Sequence, residues 1–425
     1  MGAANHIPVE LVASPPCEAY RPRFHSAVAT RNLPLGERAR LVMGGQTGIA
    51  SITALIFAAA LVGFATNLSM HLLNLRMQAT GVSSSGIGLS VAIQALGIIV
   101  AAPLTRHVIA HCGIRLTVLS GAVLSSSAFF AFLFITDIFA WNFMRFIFGI
   151  GLALLFTASE SLIISRADGT NRGRIVGWYA TALATGTTAG PLLVTMVGIH
   201  GSTPLLWGAL LFWLPIAPII ACLKRGEELA PVVRSSTFTT LGFAPIAFVS
   251  AFVFGVADNG GMAMLSVYSV MSGYDYMNAA TLAVFATVGA IVLQIPLGCA
   301  CNKQDPRVIL ILCGVGSIYL LALLPDVMGI KPIAFGVAFG LGGLLEGLYT
   351  LGLLCIAKYY RGVGISTANG YFVSICGLGE LAGPLATGTS MEHLGTQGFV
   401  LSPMAILALY IVSIAMMSTP TKARQ

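Results

Sequence analysis

The chain has 425 residues, 56% of them hydrophobic and only 9% charged, with 22 basic against 15 acidic side chains and a formal net charge of +7. Soluble domains carry roughly a quarter charged residues, and a mean hydropathy of +0.89 leaves too little polar surface to face water. The composition therefore excludes an ordinary soluble globular protein and makes lipid the main solvent, with each membrane span needing about 20 mostly apolar residues.

Residues 1–48 hold a Pro-Pro pair and scattered charges but no continuous apolar segment. A signal peptide requires such a segment, so this stretch is expected to be a flexible cytoplasmic leader. Twelve apolar windows follow, at 50–72, 84–105, 116–136, 138–160, 175–199, 203–222, 241–269, 278–299, 307–325, 332–357, 363–390 and 398–417. The seventh, tenth and eleventh are long enough to tilt or to project from the bilayer. The fold class expected is an all-α membrane protein of twelve transmembrane helices.

The basic residues test that map. An even count of spans puts both ends of the chain on one face, and on that face fall 19 of the 22 Lys and Arg residues, from Arg21 through Arg106, Arg166, Lys224, Lys303 and Lys358 to Arg424. The opposite face holds Arg76 and Lys331, and Arg145 lies within a span. Cytoplasmic loops carry the excess of basic residues, so both termini are expected in the cytoplasm. The net charge is then a matter of topology and implies no nucleic-acid partner. The eight cysteines include a lone Cys299-x-Cys301 pair without metal-like spacing, and reduced thiols are expected.

The sequence repeats itself. GTTAGPLL, Gly186 to Leu193, and GELAGPLA, Gly379 to Ala386, stand 193 residues apart, and so do Pro103-Leu104 and Pro296-Leu297. Two landmarks at one offset predict a duplicated six-span unit. The domain plan is 49–222 and 241–417 as six-helix bundles in pseudo-two-fold repeat, with 223–240 as a polar cytoplasmic linker and 418–425 as a tail.

On these features the chain resembles the major facilitator superfamily over residues 49–417. RFIFGIG, Arg145 to Gly151, is similar to the family's arginine motif in span four, and Gly186-x-x-x-Gly190-Pro191 to its antiporter-associated motif in span five. The counterpart in span eleven is Gly379, Gly383 and Pro384. The loop motif survives as Gly113 and Arg115 in the first half, with Ala110 where the family has an aspartate. It survives better as Gly298, Asn302, Lys303 and Arg307 in the second. TASESLIISRADGTNRGRIVGWY resembles a bacterial subgroup with a glutamate at the end of span four. The resemblance implies a secondary transporter in a bacterial inner membrane, without cofactor and monomeric, whose spans one, four, seven and ten line a central cavity.

The charges inside the membrane are Arg145, Glu160, Asp258, Glu346 and Glu380. An ionised side chain at mid-bilayer costs roughly 2.5–3.5 kcal/mol on insertion scales, so each needs a cavity, a partner or a proton. Glu160 lies near the cytoplasmic end of its span and is expected to reach the interface. The lining spans would bring Arg145, Asp258 and Glu346 to one cavity, with Tyr349 one turn from Glu346 and Asn67 on span one as a weaker polar candidate. Glu346, deepest of the three, is the expected proton-coupling acid. A fixed bridge from Arg145 to Asp258 or Glu346 is the structural alternative. Asn259, Gly260 and Gly261 after Asp258 predict a broken helix able to offer backbone groups to a solute.

Glu380 poses its own question. A proline frees the carbonyl four residues before it, so Pro384 frees that of Glu380 and Pro191 that of Thr187, its repeat partner. A protonated glutamic acid is a donor like threonine, and Glu380 is expected first to support a kinked helix and second to carry a proton. The function expected is proton-coupled exchange of a small organic solute, leaning to export on the span-five motif, with the proton and the bilayer as further partners. Proton-coupled uptake is the alternative within the fold. A non-transporting sensor or scaffold is the alternative outside it, and an enzyme using Glu160 with His107 or His111 lacks a nucleophile–base set.

Overall fold

The computed structural model describes residues 35–166, 172–222, 245–301, 304–359 and 363–417. The predicted linker, most of the leader, the tail, Asn302 and Lys303 lie outside the described residues. The chain divides into Met1–Ala50 and Ser51–Gln425. Of the first unit, the residues from Leu35 onward are helical, and everything below concerns the second.

Thirteen α-helices run through the described residues. They are α1 Leu35–Ala79, α2 Ser84–Ala131, α3 Ile138–Arg166, α4 Arg172–Val197, α5 Thr203–Leu211, α6 Ile216–Cys222 and α7 Pro245–Phe254. After a π turn Gly255–Gly261 and a 3-10 turn Met262–Met264 come α8 Leu265–Met271, α9 Tyr276–Cys301 and α10 Pro306–Val327. The last are α11 Lys331–Tyr359, α12 Val363–Leu394 and α13 Thr396–Met416. Among the described residues, ten helical stretches are long and apolar enough to cross a membrane. The two other predicted spans fall on α4, whose apolar part is Thr181–Val197, and on α12.

Predicted span two and most of span three lie in α2, which ends at Ala131 and reverses at Gly113 with φ 78 and ψ 157. That region of backbone space is essentially closed to residues with a Cβ, which explains why the loop motif needs glycine there. Span one is longer than its hydropathy window, running to Ala79 rather than 72. Span seven is not broken at Asp258: it is rewound, the Met262 N–H being shared between the carbonyls of Ala257 and Asp258.

Two apolar cores hold the unit together. The first gathers Leu72, Phe129, Phe148 and Phe212, the three phenylalanine rings meeting at 5.3 to 5.7 Å. The second gathers Leu310, Leu341, Leu345 and Leu348, with Tyr268 stacked on Phe399 at 4.5 Å. Large apolar side chains also point outward, Phe139, Phe134 and Met196 among them, which in water would be costly and in lipid is not.

Small residues set the helix contacts. A Cβ at Gly186 or Gly190 of α4 would overlap backbone atoms of Ala60 and Leu68 in α1, and one at Gly379 or Gly383 of α12 those of Phe252 and Val256 in span seven. Gly149 lies against the Gln94 carbonyl and Gly342 against that of Ala286. The paired glycines stand 193 residues apart. Without a hydrophobic force between helices in lipid, such close backbone approach is what supplies packing energy.

Gly383→Val is therefore expected to lower the thermal unfolding midpoint in detergent, since the new Cβ meets backbone on two sides, including Gly260 Cα at 2.8 Å. Overpacking of this kind costs about 1–3 kcal/mol or more. Gly298→Val, where a Cβ meets nothing within 4 Å, is expected to leave the midpoint unchanged.

While α2 and α12 also meet deeper, where Ile99 lies against Gly377, polar contacts between the two cores gather at one face, the end that carries the turns at 80–83, 198–202 and 272–275. There His71 Nδ1 meets Ser266 Oγ at 2.9 Å and Asn74 Nδ2 donates to the Ala263 carbonyl at 3.0 Å. The Ser85 N–H donates to Glu392 at 3.2 Å, Ser84 to Met271 Sδ at 3.4 Å, and the His200 and Tyr276 rings meet edge to face. Gly88 of α2 lies under the Pro384 carbonyl of α12.

Candidate functional site

Three of the intramembrane acids come together. Asp258 sits in the π turn of span seven, Glu346 near the middle of α11 and Glu380 near the middle of α12. Asp258 lies within electrostatic reach of both Glu346 and Glu380, and all three are half-buried. A π turn adds a residue to one turn of helix and re-aims the side chains on it, a device frequent at functional sites. Here it is made by the glycine-rich run Gly255–Gly261, whose close packing against Gly379 and Gly383 also fixes α12 beside it.

Neutral groups complete this cluster. Gln294 Nε2 of α9 donates to Glu346 Oε1 at 3.2 Å. The Tyr349 ring, one turn on from Glu346, packs between Phe254 at 4.9 Å and Phe372 at 5.1 Å. Like charges within electrostatic reach of one another repel unless a proton or a cation joins them. No basic side chain occurs in 245–301, and in α11 and α12 Lys and Arg stand only near the start and end, at Lys331 and Lys358.

Arg145 stands apart. It is fully buried in α3, and its guanidinium donates to Gln94 Oε1 at 2.5 Å and to Asn74 Oδ1 at 2.6 Å. Neither predicted bridge, to Asp258 or to Glu346, is formed here: the arginine is held by two amide oxygens of α2 and α1, and its Nε has no partner. Asn67 is half-buried on α1 with its backbone against Gly190 of α4.

One loop-motif residue, Arg307, holds a helix end. Arg307 donates to the carbonyls of Ile414 and Ala415 at 2.5 Å each, capping the last turn of α13, where a cation also suits the helix dipole. Arg115 is exposed beside the Gly113 reversal. His111 Nδ1 meets the His107 carbonyl at 2.8 Å, within its own helix. The Glu160 side chain lies outside the described residues.

Asn74, Gln94, His71 and Gln294 are site residues that the sequence argument passed over. Asn74 fell two residues beyond the predicted end of span one, so it did not count as intramembrane. The two glutamines carry no formal charge, and only their isolation in apolar runs marked them.

Comparison with known proteins agrees with the architecture. A family model described as Major Facilitator Superfamily matches residues 55–342. An uncharacterised MFS-type transporter, YfkF of Bacillus subtilis (strain 168), is 21% identical over 352 residues, covering 80% of this chain and 88% of that protein. The crystal structure of the nucleoside transporter NupG superposes with a TM-score of 0.69 at 12% identity, over 87% of this chain and 100% of that one. That of a D-xylose-proton symporter does so with a TM-score of 0.66 at 14% identity, over 89% and 99%.

Proposed function

The chain belongs to the Major Facilitator Superfamily, and from this premise we propose that it carries a small organic solute across a bacterial inner membrane by alternating access, in exchange with or together with protons. The observation that carries the coupling is that Asp258 lies within electrostatic reach of Glu346 and Glu380, on helices whose mid-span stretches carry no Lys or Arg in the sequence. Three carboxylates in one place make a store for protons whose occupancy changes when the surroundings change. Glu346 is the coupling acid in this reading, because it lies deepest on a lining helix and because Gln294 gives its charged form a hydrogen-bond donor.

The remaining polar groups take supporting parts. Glu380 supports the backbone around Pro384 and shares the cluster's protons. Arg145 organises the first bundle through Gln94 and Asn74. The basic excess on the terminal face supports cytoplasmic termini, which makes the joined face external. The direction is export, on the strength of the Gly186–Pro191 motif alone.

The test uses vesicles loaded with a pH-sensitive dye and carrying the full chain. A panel of organic solutes is added one at a time, without an imposed gradient. A transported solute is expected to move protons when it moves. Solute flux with no proton movement removes the coupling, and the absence of flux across the panel favours a sensor or scaffold.

A further inference from the structure

We propose that Asn74 is a gate residue of the joined face, its amide turned by Arg145 so that it latches onto the rewound segment of span seven. Asn74 is fully buried, its oxygen accepts from the Arg145 guanidinium at 2.6 Å, and its NH2 group donates to the Ala263 carbonyl at 3.0 Å. An asparagine side chain presents oxygen on one side and NH2 on the other. Arg145 has only donors to offer, so it claims the oxygen and leaves the NH2 group facing span seven. Each bond therefore sets the other.

The acceptor is no ordinary helix carbonyl. Ala263 belongs to the 3-10 turn Met262–Met264, directly after the π turn that carries Asp258. His71, one turn before Asn74, meets Ser266 across the same seam. The halves are thus tied by two polar contacts to a short segment whose winding also sets the position of Asp258. Opening this face must break both. The contact to Ala263 is the one under control of a buried charge, so Arg145 acts on the gate through Asn74 rather than on a carboxylate. Asn74 acts in this gate as a positioning residue.

The inference rests on alternating access and not on which ion is coupled, so it is tested without solute or gradient. Hydrogen–deuterium exchange is measured on the full chain in lipid nanodiscs, comparing the wild type with Asn74→Asp and Asn74→Ala. Asn74→Asp keeps an oxygen for Arg145 but sets another against the Ala263 carbonyl, and Asn74→Ala removes both bonds. Exchange in 71–80 and 263–275 is expected to quicken by about fivefold, the population shift that follows loss of one hydrogen bond of ordinary strength. Exchange at the opposite face, in 104–115 and 298–301, is expected to slow, because alternating access closes one face as the other opens. Faster exchange at both faces, unchanged exchange at both, or failure of both variants to fold would each overturn the gate and leave Asn74 a purely structural residue.

Discussion

Vesicles carrying Glu346→Gln are expected to exchange labelled solute at close to the wild-type rate and to lose all concentration of it under an imposed pH gradient. Glutamine matches glutamate in shape and stays neutral, so it mimics the protonated acid and can neither take up nor release a proton. Coupling one proton to one solute lets a gradient of one pH unit sustain at most about a tenfold concentration ratio. The variant's ratio is expected to fall to about one. The neighbouring amide makes the substitution mild for the fold, because Gln294 still finds an oxygen at position 346. Accumulation that survives at the wild-type ratio would show that Glu346 is not the coupling acid, and Asp258 and Glu380 would be the next residues to substitute.

Removal of Arg145 is expected to be the most damaging single change to the packing of α1, α2 and α3. Arg145→Ala empties a fully buried site, and large-to-small changes of this kind cost about 2–5 kcal/mol. It also strands the amide oxygens of Gln94 and Asn74 in a dry interior, at about 1–3 kcal/mol for each acceptor left unpaired. The expected result is a large fall in thermal unfolding midpoint in detergent, or loss of the folded peak on size exclusion. Arg145→Lys keeps the charge but not the planar fork that reaches two amides at once, so an intermediate fall is expected. An unchanged midpoint for the alanine variant would mean that the two amides find other partners.

The fit between sequence and structure differs from residue to residue, and the reasons are physical. Apolar run lengths placed the helices well because every backbone group in lipid must be bonded within its own segment. The end of span one was misplaced because polar residues such as His71 and Asn74 lower the hydropathy of a stretch that is nonetheless helical and buried. The glycines of α4 and α12 stood out in the sequence as a repeated small-residue pattern, and the structure shows them at close backbone contacts. The partner of Arg145 was not. Charge predicts attraction to a carboxylate, but the helices that meet Arg145 bring amides, and only a folded chain brings α1 and α2 to α3.

By itself the sequence determined an all-helical membrane fold, a repeated sequence pattern, and the four acids that cannot lie in lipid without a reason. Those follow from solvation, which depends on residue type and local run length alone. The tertiary structure decided that Asp258 lies within electrostatic reach of Glu346 and Glu380 while Arg145 is held by amides of α1 and α2, and that the glycines after Asp258 rewind their helix instead of breaking it. Those depend on which helix faces turn toward one another, and helix rotation is set by backbone approach at glycines such as Gly255, Gly379 and Gly383, contacts between residues more than a hundred positions apart.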